Sequence, residues 1–385
     1  MVAAALLPCF DMWKFKVTLL VLSCVVAFGI AELLARLILV PPQVVTVTDN
    51  TERQRFTLPV HPEQGHVYVE TDTGRRLRAN ADITIENHAL SRRRIRIQTN
   101  SLGYRNREVG PKQGKRLLFL GDSITFGDYL DESDTFVRQV ESLAQADGHQ
   151  WETVNAGVGA IGLKEELSIL VETGLSIEPD VVVLGFYLND FQASPGFYSP
   201  RLPSVLDRSR LLVHAATVLS SWGSQSPAAF EVDVEAWRND FESRRPIQWG
   251  DHRTSEPAFN AFIAKSFDDW GGAWSEQAWN NMQPYFVQLK RMADQQGFDL
   301  LIVAFPVSYQ IDAAYVYDFP QQKLKQIGQD LDAPVIDILP VLREEYHRGK
   351  TRLFYDHCHH TPYANRVIAQ AIYDGLTSAL ESDPE

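Results

Sequence analysis

From Arg116 onward the chain alternates short, β-branched apolar runs with longer amphipathic stretches, and this alternation limits the fold more than any other feature. RLLFLGDS, TVNAGV, DVVVLGFYLND, DLLIVAFPV and APVIDIL are near-continuous in apolar residues, the pattern of strands buried on both faces. Helical stretches separate them: LKEELSILVETG, NNMQPYFVQLKRMADQQG and QQKLKQIGQDL. Strand followed by helix, repeated, demands a parallel sheet covered on both sides, so an α/β domain is expected over 116–385. Catalytic groups in such a sheet gather beyond the carboxyl ends of its strands. The alternation is interrupted once, at about 191–276. Five of the eight tryptophans (Trp222, Trp237, Trp249, Trp270 and Trp274) belong to that interruption and Trp279 follows just after it, and the stretch reads as an inserted, partly helical cap over the site. The plainer alternative is that these rings are the insertion's own small core.

Residues 43–115 read as a small β-rich lead-in, because HVYVET and RRRIRIQ alternate with period two and Pro, Gly and Asn break the runs. Between Arg75 and Leu117, twelve Lys or Arg stand against three acids (Asp82, Glu86 and Glu108), in a chain whose net charge is −13. Such a patch suits anionic lipid headgroups or an anionic polymer, or else it is a face neutralised by the acidic remainder, which is the expectation here. The overall acidity argues against a nucleic-acid partner.

Residues 1–42 read as a cytoplasmic tip and transmembrane anchor. Val17 to Ala31 are uncharged and mostly apolar, Lys14 and Lys16 precede them, and the apolar character runs on to Val40 before Pro41-Pro42. Glu32 and Arg36, four apart, would pair on one helix face. A cleaved signal peptide ending at Ala31 is the alternative, and both readings carry the body across the membrane. Of three cysteines (Cys9, Cys24 and Cys358), only the last lies in the body, so no disulfide framework is expected there.

Four short segments carry the chemistry. Gly121-Asp122-Ser123 ends the first apolar strand at the mouth of a helix, where backbone N–H groups would stabilise an oxyanion beside the Ser123 hydroxyl. The plainer role for Ser123 is an N-cap. NAGVGAIG follows the second strand and satisfies G-x-G-x-x-G with Gly157, Gly159 and Gly162, but the acid that a dinucleotide site needs at the end of the next strand is missing, since Asp180 begins it. Asn189 and Asp190 end the third strand, where an amide can donate to an oxyanion. Asp356, His357, Cys358, His359 and His360 precede a helix announced by Thr361 and Pro362. Asp356 and His359, three apart on a turn, supply the carboxylate and imidazole that a serine nucleophile needs. His360, four from Asp356, is the competing ring. A metal centre in this cluster is disfavoured because consecutive residues rarely converge on one ion.

In this order, on these strand ends, the segments resemble the SGNH (GDSL-type) hydrolase superfamily, over about Arg116 to Leu380 apart from the insertion. With NSLGYRNRE and an N-terminal anchor ahead of GDSIT, the likeness is to its bacterial membrane-anchored branch. The resemblance implies a flavodoxin-like three-layer sandwich with a five-stranded parallel sheet. It implies Ser123 as nucleophile, His359 and Asp356 completing the triad, and an oxyanion hole from Ser123 N–H, a backbone N–H at Gly159 or Ala160, and Asn189. The alanine at 160, where that superfamily's pattern has glycine, is a departure. The implied activity is an extracytoplasmic esterase removing short acyl groups, O-acetyl above all, from carbohydrate. The body would then lie in the periplasm or outside a bacterial inner membrane, without cofactor or metal. Alternatives are an O-acyltransferase acting on a cell-surface polysaccharide, and a non-catalytic glycan-binding protein that keeps the fold.

Overall fold

The computed structural model describes residues 9–38, 45–58, 67–88, 91–191, 209–212, 214–215, 255–266, 270–349 and 351–381. Helix α1 (Cys9–Ile38) carries the N-terminal apolar segment. Over Trp13–Ile38 it is 26 residues long with a mean hydropathy of 2.4, long and apolar enough to cross a membrane, and a signal sequence has the same character. Leu20, Val25 and Leu37 are exposed along it. Arg36 Nε donates to Glu32 Oε1 at 2.7 Å, as their spacing predicts.

The lead-in contains β1 (Val45–Asp49), β2 (Gln54–Leu58), β3 (Tyr68–Thr71), β4 (Gly74–Leu77), β5 (Asp82–Glu86) and β6 (Ile95–Gln98). The two period-two runs fall in different sheets. HVYVET supplies β3 of a separate β3–β4 hairpin, and RRRIRIQ supplies β6 of an antiparallel sheet in the order β2-β1-β5-β6. Ile95 and Ile97 point inward while Arg96 and Gln98 face solvent. Most of the basic residues of this region pair with acids, several of them distant in sequence: Arg76 with Glu172, Arg93 with Asp134, Arg107 with Glu141 and Lys112 with Asp180. The positive excess is neutralised by the acidic remainder.

The body follows the expected alternation: β7 (Lys115–Gly121), α2 (Ser123–Phe126), α3 (Phe136–Ala146), β8 (Trp151–Asn155), α4 (Leu163–Ile169), β9 (Val181–Phe186), α5 (Glu256–Lys265), α6 (Glu276–Gln296), β10 (Asp299–Ala304), α7 (Tyr309–Asp312), α8 (Phe319–Leu331), β11 (Val335–Asp337), α9 (Leu339–Gly349) and α10 (Pro362–Glu381). The five apolar runs form one parallel sheet in the order β8-β7-β9-β10-β11. Counted along the body, that is 2-1-3-4-5, the flavodoxin-like order, with its switch point between β7 and β9.

Alternate side chains feed two apolar layers. Leu118, Leu120, Val182, Leu184 and Ile302 pack with α4, α6 and α8, and the same layer is continuous with Val47, Ile83 and Ile97 of the lead-in. Leu117, Phe119, Val181, Val183 and Val303 pack with α3, α5, α9 and α10. The three-layer sandwich is thus in place. Most of the expected insertion, with Trp222, Trp237 and Trp249, lies outside the described residues. Trp270 and Trp279 are buried in the two layers, and Trp274 Nε1 donates to Tyr317 O at 3.0 Å. Trp270 and Trp279 are core, and Trp274 is half-buried against it.

Candidate active site

Gly121 ends β7 with φ +153°, and a Cβ there would meet Thr125 Oγ1 at 2.2 Å, so the chain can turn this tightly only at glycine. Asp122, not Ser123, caps the next turn: its Oδ1 accepts from Ile124 N at 2.8 Å. Ser123 is left as the first helical residue with its hydroxyl free for other work. The helix it opens is a single turn, Ser123–Phe126, too short for a substantial dipole.

The four expected segments converge at the switch point. The register Gly121↔Gly185 sets the ends of β7 and β9 side by side. Ser123 Oγ lies 2.8 Å from His359 Nε2, and His359 Nδ1 lies 2.6 Å from Asp356 Oδ2. Asp356 Oδ1 accepts from the backbone of His359 at 2.7 Å and of Cys358 at 2.9 Å. The loop is pinned in turn: Ser308 N donates to His357 O at 2.8 Å and Tyr355 N to His359 O at 2.7 Å. Thr361 caps α10 by accepting from Ala364 N, as the sequence predicts. With Nδ1–H donating to Asp356 Oδ2, the neutral ring offers Nε2 to accept from Ser123 Oγ–H.

Charge around the ring is strongly biased. Burial alone would lower the His359 pKa, but Asp356, helped by Asp128 and Asp122, raises it to about 9. Burial opposes ionisation of Asp356, and the adjacent imidazolium overrides it, holding that carboxyl well below the usual range. His360 behaves differently. It is buried between Phe354 and Phe305, ring centroids 4.5 and 5.8 Å away, and burial with the charge of His359 lowers its pKa to about 3. It is a core ring and does not compete for Ser123.

The glycines of NAGVGAIG have a packing reason. A Cβ at Gly157 would stand 2.3 Å from Phe126 N, so the loop could not lie against the turn that bears Ser123. Asn155 ties the two together, donating to Thr125 O at 2.8 Å and accepting from Gly157 N at 3.0 Å. Val158 N donates to Gly121 O at 3.1 Å. The amides of Gly159 and Ala160 come next along this loop. Ala160 adopts φ +60°, the left-handed conformation that glycine takes more readily, so the departure from the superfamily pattern sits where glycine would be least strained.

Asn189 stands in a turn closed by Asp190, whose Oδ2 accepts from Tyr187 N at 2.7 Å. Its Oδ1 is shielded and has no hydrogen-bond partner among the described residues. Behind this turn Asp190 and Glu166 are buried, and burial raises both carboxyls well above the ordinary range, helped by the charge of Glu166 at Asp190 and by that of Asp122 at Glu166. Asp356, His357 and Cys358 do bring three donor atoms within 4.8 Å of one another. An ion there would have to take Asp356 from His359, so the cluster suits the hydrogen-bonded chain better than a metal.

Three residues that sequence reasoning missed also touch the site. Asp128 Oδ2 lies 3.8 Å from His359 Nε2, and the Tyr129 ring lies 4.5 Å from the imidazole. Arg105, buried at 1% exposure, donates to Phe126 O, Gly127 O and Leu130 O of the same turn. The NSLGYRNRE segment contains this arginine, but nothing local marks its partners about 20 residues on.

No family model and no curated protein matches the chain. Among solved structures it is similar to an acetyl xylan esterase, AlAXEase, at 14% identity over 68% of this chain and 99% of that one, TM-score 0.38. It is also similar to Axe2, an acetylxylan esterase from Geobacillus stearothermophilus, at 13% identity over 69% and 94%, TM-score 0.41. A G-D-S-L family protein from Desulfitobacterium hafniense shares 10% identity over 68% and 99%, TM-score 0.38. Likenesses this distant carry no weight for activity or substrate.

Proposed function

We propose that this chain is a serine esterase of the SGNH type, removing short acyl groups, O-acetyl foremost, from carbohydrate on the outer side of a bacterial inner membrane to which α1 anchors it. The observation that carries the reading is the unbroken chain from Ser123 Oγ through His359 to Asp356, at 2.8 and 2.6 Å, at the switch point of the sheet.

In this mechanism Ser123 Oγ attacks the ester carbonyl while its proton passes to His359 Nε2. Asp356 holds the ring's orientation and tautomer and stabilises the imidazolium that forms. Ser123 N–H, the amide at Gly159 or Ala160, and the Asn189 side chain are the groups proposed to meet the oxyanion. His359 then returns the proton to the leaving sugar oxygen, and the acyl group remains on Ser123. Water, deprotonated by the same ring, attacks the acyl-enzyme and releases the acid. A polysaccharide hydroxyl in place of that water would make the chain a transferase with identical residues.

The test is turnover of aryl acetate and longer aryl esters, with and without a sugar acceptor, by the full chain and by Ser123→Ala. The expected result is acetate-selective hydrolysis that falls on the order of 10³-fold or more in Ser123→Ala. Near-normal turnover in a folded Ser123→Ala protein would end the serine-hydrolase reading. Acyl transfer to the sugar outrunning hydrolysis would replace esterase by transferase.

A further inference from the structure

The turn after α2 approaches the imidazole from the side opposite Asp356. Asp128 Oδ2 stands 3.8 Å from Nε2, the ring atom that faces Ser123 Oγ, and both side chains keep only about a tenth of their exposure, 11% for Asp128 and 12% for His359. Tyr129, next in the chain, lays its ring 4.5 Å from the imidazole and is held at φ +72°, a conformation a bulky aromatic adopts only under constraint. The constraint is Arg105. Its guanidinium donates to the carbonyls of Phe126 at 2.9 Å and Gly127 at 2.7 Å from one nitrogen, and to those of Leu130 at 2.5 Å and Arg96 at 3.3 Å from another. It also stacks 4.9 Å over the Phe126 ring. A buried cation thus clamps the turn on both sides of Asp128 and Tyr129 and ties it to the lead-in.

We propose that Asp128 is a positioning residue for His359: clamped by Arg105, its carboxylate faces the reactive edge of the ring, keeps Nε2 on line with Ser123 Oγ, and stabilises the charge that the ring gains when it takes the serine proton. Asp356 acts through Nδ1 and Asp128 through Nε2, so the imidazolium lies between two carboxylates. The lead-in, through Arg105, becomes part of the site's framework and not merely a spacer behind α1. The proposal rests on the esterase reading for its catalytic meaning.

Among the described residues, the ionisable groups that bear on the ring can each be placed. Asp356, His357, Cys358 and His360 lie on its own loop, with Cys358 Sγ 3.3 Å from Nδ1. Asp122 ends β7, Asp128 comes from the clamped turn, and His88 and Tyr355 stand behind Tyr129. Of these, Asp128 is the carboxylate that can be neutralised without cutting the Asp356 link or removing the cap on α2.

The experiment compares Asp128→Asn and Arg105→Lys with the unmodified chain in two readouts: the pH profile of kcat/KM on aryl acetate, and the titration of the His359 ring by NMR. Asparagine keeps the shape of aspartate and removes its charge. The expected result is that the acid limb and the ring titration of Asp128→Asn both move down by about one pH unit. The plateau should fall about tenfold, and Arg105→Lys should show a smaller shift in the same direction. A folded Asp128→Asn protein whose ring titrates as in the unmodified chain overturns the proposal. The NMR titration needs no turnover, so absence of esterase activity would sink the esterase reading while still deciding the role of Asp128.

Discussion

In the parallel sheet, Leu117 and Phe119 face one apolar layer and Leu118 and Leu120 the other, whereas β6 of the lead-in buries only Ile95 and Ile97 and turns Arg96 to solvent, 2.8 Å from Asp82. The first sheet is held by apolar contact on both faces, worth roughly 25 cal/mol per Å² buried. The second has one apolar face, and the ion pairs on its exposed face are each worth little, about 0–1 kcal/mol. Both sheets nevertheless reach the same turn. The parallel sheet fixes where Ser123 leaves β7, and the lead-in fixes, through Arg105, how the turn closes over His359. Position comes from the apolar core and orientation from a polar clamp.

That division is broken most directly at the histidines. His359→Ala should lower kcat/KM on aryl acetate on the order of 10³-fold or more even in the folded fraction, since the ring is the proposed base. His360→Ala should do the reverse, costing about 2–3 kcal/mol for the lost ring between Phe354 and Phe305 while the folded fraction keeps turnover within about threefold. Denaturant melts beside initial rates separate the two, and loss of activity in the second variant alone would show the wrong ring was chosen.

The clamp is tested next. Arg105→Met strips four carbonyl acceptors of their donor in a buried place and should destabilise by about 3 kcal/mol, well beyond the effect of breaking Arg96–Asp82 at the surface, below about 1 kcal/mol. Equal small effects in denaturant melts would show that the lead-in does not hold the turn.

The pH dependence sharpens the same point. His359 must be neutral to take the serine proton, and its pKa is raised to about 9, so kcat/KM should rise about tenfold per unit until it levels near pH 9. Stability runs the other way. The folded chain holds that proton more tightly than the unfolded chain, so this stabilisation is complete below about pH 6.5 and lost as pH rises through about 9. An acid limb centred at the ordinary histidine value would contradict the placement of the carboxylates. The smallest effect is expected at Ala160. Glycine would relieve the φ +60° conformation but adds unfolded-state entropy, leaving a net gain of about 0.5 kcal/mol in Ala160→Gly.

Much of this was legible in the sequence. The five apolar runs became the five strands because each is buried on both faces, while GDS set Ser123 on the turn after β7 and D-x-x-H put Asp356 and His359 2.6 Å apart on the loop between α9 and α10. Helix α3 was missed, although Thr135 as N-cap and the spacing of Phe136, Val140 and Ala144 announce it. Asp128, Tyr129 and Arg105 had no local signature, because their roles come from a clamp between segments about 20 residues apart. The tryptophans left two readings open, because aromatic density marks burial as readily as it marks a sugar site; Trp270 and Trp279 are core, and Trp222, Trp237 and Trp249 lie outside the described residues. The basic patch was read as a neutralised face, and the sequence could not name its partners because acids such as Glu172 and Asp180 lie far along the chain.

The central claim is that Ser123 forms an acyl-enzyme with His359 as its base. The most direct measurement is mass spectrometry of the full chain after reaction with a fluorophosphonate, followed by peptide mapping. One adduct per chain on the peptide containing Ser123, abolished in Ser123→Ala and slowed on the order of 10³-fold in His359→Ala, is the predicted result. An adduct on another residue, or hydrolysis of aryl acetate that persists in Ser123→Ala, would contradict the account.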